Sequence, residues 1–340
     1  MNNYQARVLR VIASLLFGCS ITFAQDQTGS ATTDPSNSTG VSQLQTGSSH
    51  RSFALTAEFY RSIVGPQRPD IAKLNLFLTR MPKGGDLHNH YSGSIYAETY
   101  LDWVQKKGWL IDECTLQIVK TESEGSCKQL TVPYLKSDAS AYRKLLSLWS
   151  DKDFGNHIHM TPPPDQKFFN TFGFFGPIAD DFIPTGLRIL KQRALAENVG
   201  YIETTLSQVG VDSKRYFTQE KRNLINQELT NSCSQKETDL VLEQIFDRLV
   251  SNEEFNSTVD RFVDSVQRNH QGIDDEDFLM RYQTYAVRVL DPLSVFLDLL
   301  SGYMAAERSP LVVGVNIVAP ENNYVALRDH TLHMRMYNYL

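Results

Sequence analysis

The sequence predicts an α/β fold in which about four βα units form the first half of an eight-stranded (β/α)8, or TIM, barrel, preceded by helices. Short apolar segments typical of strands alternate with longer segments in which apolar residues recur every three or four positions. This alternation predicts parallel strands joined by helices. The predicted strands centre near residues 86, 202, 286 and 314. An open doubly wound sheet is the rival architecture, but no Gly-rich phosphate loop follows a predicted strand.

The predicted elements follow from local patterns along the chain. Two amphipathic helical stretches, over residues 52–64 and 71–78, come first, and Pro82 with the pair Gly84 and Gly85 ends the second. A short strand follows these glycines. The later elements are helices over 185–198, 240–266, 292–306 and 324–340 and strands over 201–206, 282–290 and 311–318.

The first 24 residues have the layout of a secretory signal peptide. Two arginines precede a short apolar run over residues 11–23, and small residues end at Ala24, where cleavage is expected. The run is too short to span a bilayer as a permanent helix. We therefore expect a secreted or periplasmic protein without a transmembrane helix. Lipoprotein processing at Cys19 is the alternative, which the bulky Phe17 disfavours.

Residues 25–50 are almost wholly Gly, Ser, Thr, Asn, Gln and Asp, which offer little apolar surface to bury, so a flexible leader is predicted there. The remaining residues, 51–340, form the predicted folded domain. With 41% hydrophobic and 21% charged residues, the chain has the composition of a soluble globular protein. Its formal net charge of -6 becomes more negative once the N-terminal arginines are removed, which disfavours nucleic acid as a partner.

Three cysteines remain after the predicted cleavage. Cys114 and Cys127 bracket a polar segment typical of a loop, and an oxidising compartment lets disulfides persist. A bond between these two is therefore predicted, with Cys233 as the odd thiol. Three unpaired cysteines are the alternative, because spacing alone does not determine connectivity.

His88 and His90 form a candidate metal-binding pair. Two residues apart on a strand, they project to the same side, and at the carboxyl end of the strand they could hold one ion. Imidazole is a preferred ligand of Zn²⁺. The small residues Ser92, Gly93 and Ser94 follow the pair and leave room for a substrate.

Two further histidine pairs are interpreted as structural. His157 and His159 lie in a Pro-rich segment without a predicted strand, which indicates a surface or lid feature because metal ligands need rigid support. His330 and His333 lie on the last predicted helix beside charged residues, which indicates a solvated helical face.

Glu203 lies inside an apolar predicted strand. A buried carboxylate needs a partner or a function. Glu203 therefore either points into the barrel or packs with Arg288 of the next predicted strand, and the sequence leaves both possibilities open.

The run MPKGGDLHNHYSGS, residues 81–94, resembles the first-strand motif of the adenosine deaminase family, approximately Pro-Lys-x-x-Leu-His-x-His-Leu-x-Gly-Ser. In detail it is most similar to the secreted adenosine-deaminase-related growth factor branch. The segment KFFNTFGFF resembles the stretch after the family's first helix, and residues 201–205 and 311–321 resemble its second and fourth strands. The resemblance thus covers residues from about Ser52 to the end. It implies a metal-dependent hydrolase barrel, with residues 51–340 as a partial domain of that kind.

The resemblance also implies a reaction, the zinc-dependent hydrolysis of adenosine to inosine and ammonia, with a purine nucleoside as the small-molecule ligand. Matched residue by residue, His88 and His90 would be the first two zinc ligands. Ser92 and Gly93 match positions near the substrate, although the family commonly has Asp where this chain has Ser92. Ala319 would offer its backbone N–H to a purine nitrogen, and Pro320 after it departs from the family pattern.

The family's third His ligand, its general acid/base Glu and its Asp ligand come later in its sequence. No catalytic residue is therefore expected in this chain, the Glu is expected beyond residue 340, and the chain is expected to be an inactive fragment. Two alternatives stay open. One is a metal-dependent phosphoesterase of the polymerase-and-histidinol-phosphatase type, whose opening motif resembles Asp86-Leu87-His88-x-His90. The other is a non-enzymatic truncated binding module. The sequence leaves the oligomeric state open.

Overall fold

The structure is a computed structural model that describes residues 42–65, 68–121, 127–152, 154–155 and 162–340. The chain divides into two compact units, Met1–Met81 and Pro82–Leu340. The predicted signal peptide over residues 1–24 lies outside the described residues, and so do His157 and His159.

The first unit contains the helices α1 (Ser42–Val64) and α2 (Ile71–Arg80). The ring of Phe77 on α2 lies 6.0 Å from that of Phe59 on α1, so aromatic side chains hold the two helices together. Helix α1 begins inside the segment, residues 25–50, for which the sequence predicted a flexible leader. Polar residues can extend a helix that apolar residues further along stabilise, because adding a turn to a formed helix costs less than starting one.

The second unit alternates strands and helices. Its strands are β1 (Gly84–His90), β2 (Leu110–Asp112), β3 (Ile118–Val119), β4 (Gln129–Leu130), β5 (Val199–Thr205), β6 (Leu279–Val287) and β7 (Val312–Val318). Its helices are α3 (Tyr91–Ser94), α4 (Ala97–Lys107), α5 (Val132–Ser137), α6 (Ala139–Trp149), α7 (Pro164–Ala179), α8 (Ile183–Ala196), α9 (Gln219–Asn231), α10 (Gln235–Val250), α11 (Glu253–His270), α12 (Pro292–Arg308) and α13 (Tyr324–Tyr339).

A parallel sheet of four strands, in the order β1, β5, β6, β7, forms the centre of this unit. The four strands lie at the four predicted positions, so this part of the prediction is confirmed. The strand order follows the chain, without the reversal that defines a doubly wound sheet. This order favours the first half of a barrel over the rival architecture, and closure into a complete barrel stays a prediction.

The connection from β1 to β5 contains a small antiparallel sheet in the order β3, β2, β4. Cys114 and Cys127 are disulfide-bonded here with their Cα atoms 6.0 Å apart, and Cys233 is free and exposed, as predicted. The buried indole of Trp149 donates a hydrogen bond to the carbonyl of Leu116 at 2.9 Å, which ties the end of α6 to this sheet. The sequence did not predict these strands, because two or three residues are too few to show a periodicity.

Helix α12 packs on β6 and β7 and is buried along most of its length. A Cβ atom at Gly302 would lie 2.7 Å from Cγ2 of Thr284 and 2.9 Å from Cγ1 of Val315, so only glycine fits at this closest approach. The buried apolar residues of α12 include Leu293, Val295, Phe296, Leu297, Leu299, Leu300, Met304 and Ala305. Among the described residues, no helix is both long and apolar enough to cross a membrane.

Candidate functional site

A cavity of about 620 Å³ opens at the carboxyl edge of the parallel sheet. All four strands contribute to its wall, either directly or through the residues that follow them. This edge is where parallel α/β folds place their ligands, because the loops that follow the strands converge there. The lining residues are His88, His90, Ser92, Phe168, Phe169, Phe172, Thr205, Leu206, Tyr285, Arg288, Asn316, Ile317, Val318, Ala319 and Glu321.

The imidazoles of His88 and His90 face each other at the end of β1. Their Nε2 atoms lie 3.3 Å apart. Two nitrogens bound to one tetrahedral zinc ion at about 2.0–2.1 Å would be about 3.3–3.4 Å apart, so the pair fits a shared ion. Burial, and secondly the neighbouring His88, lowers the pKa of His90 below its usual value. His90 is thereby kept in the neutral form that binds metals.

Hydrogen bonds on both sides of the pair fix the end of β1. Oδ1 of Asp86 accepts the backbone N–H of His88 at 3.2 Å, and Oδ2 accepts the side-chain amide of Asn89 at 3.1 Å. The amide oxygen of Asn89 in turn accepts hydroxyl hydrogens from Ser94 at 3.0 Å and from Thr204 at 3.1 Å. These contacts hold the backbone that carries both imidazoles. No sequence pattern pointed to this role for Asn89, because its partner Thr204 lies 115 residues further along the chain.

Ser92 lines the cavity with the two histidines, whereas Gly93 lines an adjacent cavity of about 520 Å³. The carbonyl of Ser92 accepts a hydrogen bond from the buried hydroxyl of Tyr100 at 2.7 Å, which anchors the short helix α3. A Cβ atom at Gly93 would lie 3.4 Å from Cζ of Phe172, in ordinary contact. Ser92 and Gly93 were both matched to positions near the substrate, but only Ser92 lines the cavity that contains the histidines.

Ala319 follows β7 and also lines the cavity, with a backbone φ of 91°. Residues other than glycine rarely adopt a positive φ of this size, because their Cβ atom then crowds the backbone. Conformational strain of this kind is concentrated at ligand-binding sites.

Arg288 and Glu321 form an ion pair at the cavity, with Nη1 of Arg288 3.2 Å from Oε1 of Glu321. The same guanidinium donates hydrogen bonds to the carbonyls of Ile317 and Val318, and so supports the end of β7. Glu203 and Arg288, whose pairing the sequence left open, do not pair in the part of the chain that the structure describes. Glu203 instead pairs with side chains on β5 and β6, because its register neighbour on β6 is Arg281 rather than Arg288.

One wall of the cavity is aromatic. Phe168, Phe169 and Phe172 of α7 line it. The ring centroid of Phe168 lies 5.2 Å from that of Phe169 and 5.3 Å from that of Phe172, and both contacts are edge to face. Below them, Phe175 is buried and stacks on Tyr100 at 4.7 Å. The run that was predicted to be core or a lid thus contributes Phe175 to the core and three rings to the cavity wall, and a role as a lid stays a prediction. The exposed rings offer faces on which a planar ring can stack.

The prediction of a solvated face at His330 and His333 is wrong for His333. His330 is exposed, but His333 is 2% exposed, and its Nε2 has no hydrogen-bond partner among the described residues. Ala326, Asp329, His333 and Met336 share the buried stripe of α13, at spacings of three or four residues. Burial lowers the pKa of His333.

Within the described part of the chain, no third His, Cys, Asp or Glu joins His88 and His90 as a close metal-ligand group. The described residues do contain one cluster of potential metal ligands elsewhere, formed by Asp112, Cys114 and Cys127. Both sulfur atoms of that group are consumed by the disulfide, so it is not a metal site.

Neither a protein-family model nor a curated protein matches this chain. Among solved structures, it is similar to an amidohydrolase from Burkholderia ambifaria with bound zinc. The sequence identity is 14%, the TM-score is 0.34, and the match covers 81% of this chain and 53% of that chain. This chain thus spans about half the length of that protein.

Proposed function

We propose that the protein is a zinc-dependent hydrolase that deaminates adenosine to inosine and ammonia. The observation that carries the proposal is the 3.3 Å separation of the Nε2 atoms of His88 and His90 at the carboxyl edge of a parallel sheet. The resemblance of residues 81–94 to the first-strand motif of adenosine deaminases supports the choice of reaction. The proposal includes export, which the predicted signal peptide and the disulfide support.

Bound zinc would lower the pKa of a water molecule and so supply a nucleophile at neutral pH. In the overall reaction, the oxygen of water bonds to C6 of the purine, the bond from C6 to the amino nitrogen breaks, and ammonia leaves. His88 and His90 would hold the ion. The faces of Phe168 and Phe172 would stack on the base, and the backbone N–H of Ala319 would donate to a ring nitrogen.

The described lining of the cavity contains one carboxylate, that of Glu321, and it is paired with Arg288. We therefore assign no proton transfer to a named residue of this chain. This observation favours a second candidate, a module that binds a purine nucleoside without converting it. The phosphoesterase alternative has less support, because the carboxylate of Asp86 is engaged with His88 and Asn89.

The test uses the purified full chain loaded with zinc and mixed with adenosine, with inosine measured by chromatography. Inosine that forms with zinc and disappears with a chelator would support the hydrolase. Adenosine that binds in calorimetry without inosine formation would support the binding module. Absence of both binding and turnover would overturn both candidates.

A further inference from the structure

A chain of hydrogen bonds crosses the sheet at the cavity and links three strands. Nε2 of Gln283 on β6 donates to Oε2 of Glu203 on β5 at 3.0 Å. The hydroxyl of Thr205 on β5 donates to Oε1 of Gln283 at 3.4 Å. Nδ2 of Asn316 on β7 donates to Oγ1 of Thr205 at 3.4 Å. Thr205 and Asn316, the last two members, line the cavity.

The direction of this chain is fixed at the Glu203 end. A carboxylate offers only acceptors, so Gln283 must turn its NH₂ group towards Glu203 and its carbonyl towards Thr205. The hydroxyl hydrogen of Thr205 is then committed to Gln283. The second oxygen of Glu203 accepts the hydroxyl of Tyr201 at 2.9 Å, which holds the carboxylate in place.

The bond between Asn316 and Thr205 has a fixed direction of its own. The backbone N–H of Ile317, which can only donate, donates to Oδ1 of Asn316 at 2.7 Å. The NH₂ group of Asn316 therefore faces Thr205, in agreement with the direction set by Glu203. The hydroxyl of Thr205 thus donates its hydrogen to Gln283 and accepts a hydrogen bond from Asn316 on one lone pair. Its second lone pair can accept a further hydrogen bond.

Thr205 is the register partner of His90 on the neighbouring strand. It is buried, with 3% of its surface exposed, and it lines the cavity. A buried acceptor at the cavity wall favours a ligand that carries an N–H or O–H group and disfavours one that does not, because an unmatched buried polar group is costly.

We propose that Oγ1 of Thr205 accepts a hydrogen bond from the exocyclic amino group of the purine nucleoside, a preference that Glu203 imposes through Gln283. This inference rests on the proposed function. Thr205 is then a specificity-determining residue, and Glu203 and Gln283 are positioning residues. The polarity of the wall matches the amino group of the substrate and mismatches a purine from which that group is missing.

Calorimetry on the purified full chain with a chelator present tests the proposal, because binding is then measured without turnover. The probes are adenosine and purine riboside, which has hydrogen in place of the amino group. The wild type should bind adenosine about fivefold to tenfold more tightly, the effect of one hydrogen bond. Thr205→Val should remove this preference, and Thr205→Ser, which keeps the hydroxyl, should retain it.

Glu203→Gln is the sharper variant. Glutamine at 203 can present either a donor or an acceptor to Gln283, so the direction of the chain is no longer imposed. The preference for adenosine should fall below about threefold, while the circular dichroism spectrum stays that of the wild type. A purely structural role for Glu203 would change both affinities together.

Each failure has a distinct meaning. Equal affinities of the wild type for the two nucleosides, or an unchanged preference in Thr205→Val, would overturn the role of Thr205 and leave the purine assignment standing. Binding of neither nucleoside would overturn the purine assignment, and this inference with it.

Discussion

Oδ2 of Asp298, on α12, accepts a hydrogen bond from Nε2 of Gln208, in the segment after β5, at 2.8 Å. Asp298 is 5% exposed, and the backbone N–H of Val287 at the end of β6 also donates to its carboxyl group. One carboxyl thus ties α12 to the segments that follow two neighbouring strands. Burial raises the pKa of Asp298 from 3.8 to about 7.

This raised pKa predicts a pH-dependent stability. The folded protein binds the proton more tightly than the unfolded chain, so the stabilisation from Asp298 is complete below about pH 4 and is lost as pH rises to about 7. In the wild type, the free energy of unfolding should therefore fall by up to about 4 kcal/mol between pH 4 and pH 7 because of Asp298. Asp298→Asn should remove this dependence on pH. Urea unfolding at a series of pH values measures it. The exposed Asp264→Asn is the control, and equal pH profiles for wild type and Asp298→Asn would contradict the prediction.

Zinc retention should depend on the histidine pair. Replacing His88 or His90 with Ala leaves one imidazole of the pair, which holds an ion poorly, so metal content after dialysis should fall to background. Plasma mass spectrometry measures the zinc. His330→Ala removes an exposed histidine from α13 and should retain the wild-type zinc content. Unchanged metal in both site variants would refute the assignment of the pair.

Ala319→Gly should stabilise the protein by about 1 kcal/mol. Glycine adopts the φ of 91° without strain, and this gain exceeds its greater conformational entropy in the unfolded chain. The midpoint of urea unfolding is the measurement. Ala326→Gly on helix α13 is the matched control, and it should destabilise by a similar amount. Destabilisation by both substitutions would show that position 319 is unstrained.

Gly302→Ala should destabilise the protein by about 1–3 kcal/mol, because the new methyl group would press on Thr284 and Val315. Gly173→Ala is the matched control within helix α7. A Cβ atom there has nothing within 4 Å, so alanine should be neutral or slightly stabilising. Thermal unfolding of both variants tests the contrast. A tolerated Gly302→Ala would mean that α12 can move away from the sheet at no cost.

The sequence allowed prediction of those features that are local. Three of the four parallel strands, β5, β6 and β7, show apolar runs of sufficient length, whereas β1 was predicted from the break at Pro82 and the glycines. Helix α12 and the strands on either side of it lie within a few residues of their predicted bounds. His88 and His90 could be paired because both lie on one strand. The wall that faces them could not be predicted, because Thr205 and Gln283 are 78 residues apart and meet only through strand register.

The remaining differences have similar causes. Asp298 is a polar residue of a helix, and such residues are usually exposed. Its burial follows from the packing of α12 on several sides, which the sequence does not show. The burial of His333 depends on which stripe of α13 meets the helices beside it, and the charged neighbours Arg328 and Asp329 concealed that stripe in the sequence.

The order of strands in the parallel sheet also bears on how the protein folds. Tyr282 and Val312, partners across β6 and β7, are 30 residues apart, whereas His90 and Thr205, partners across β1 and β5, are 115 residues apart. Closing the shorter loop loses less chain entropy, so β6, α12 and β7 can assemble early and β1 docks late. We therefore expect the strand that carries both histidines to join the sheet last, so that its amides gain protection from hydrogen exchange after those of β6 and β7 during refolding.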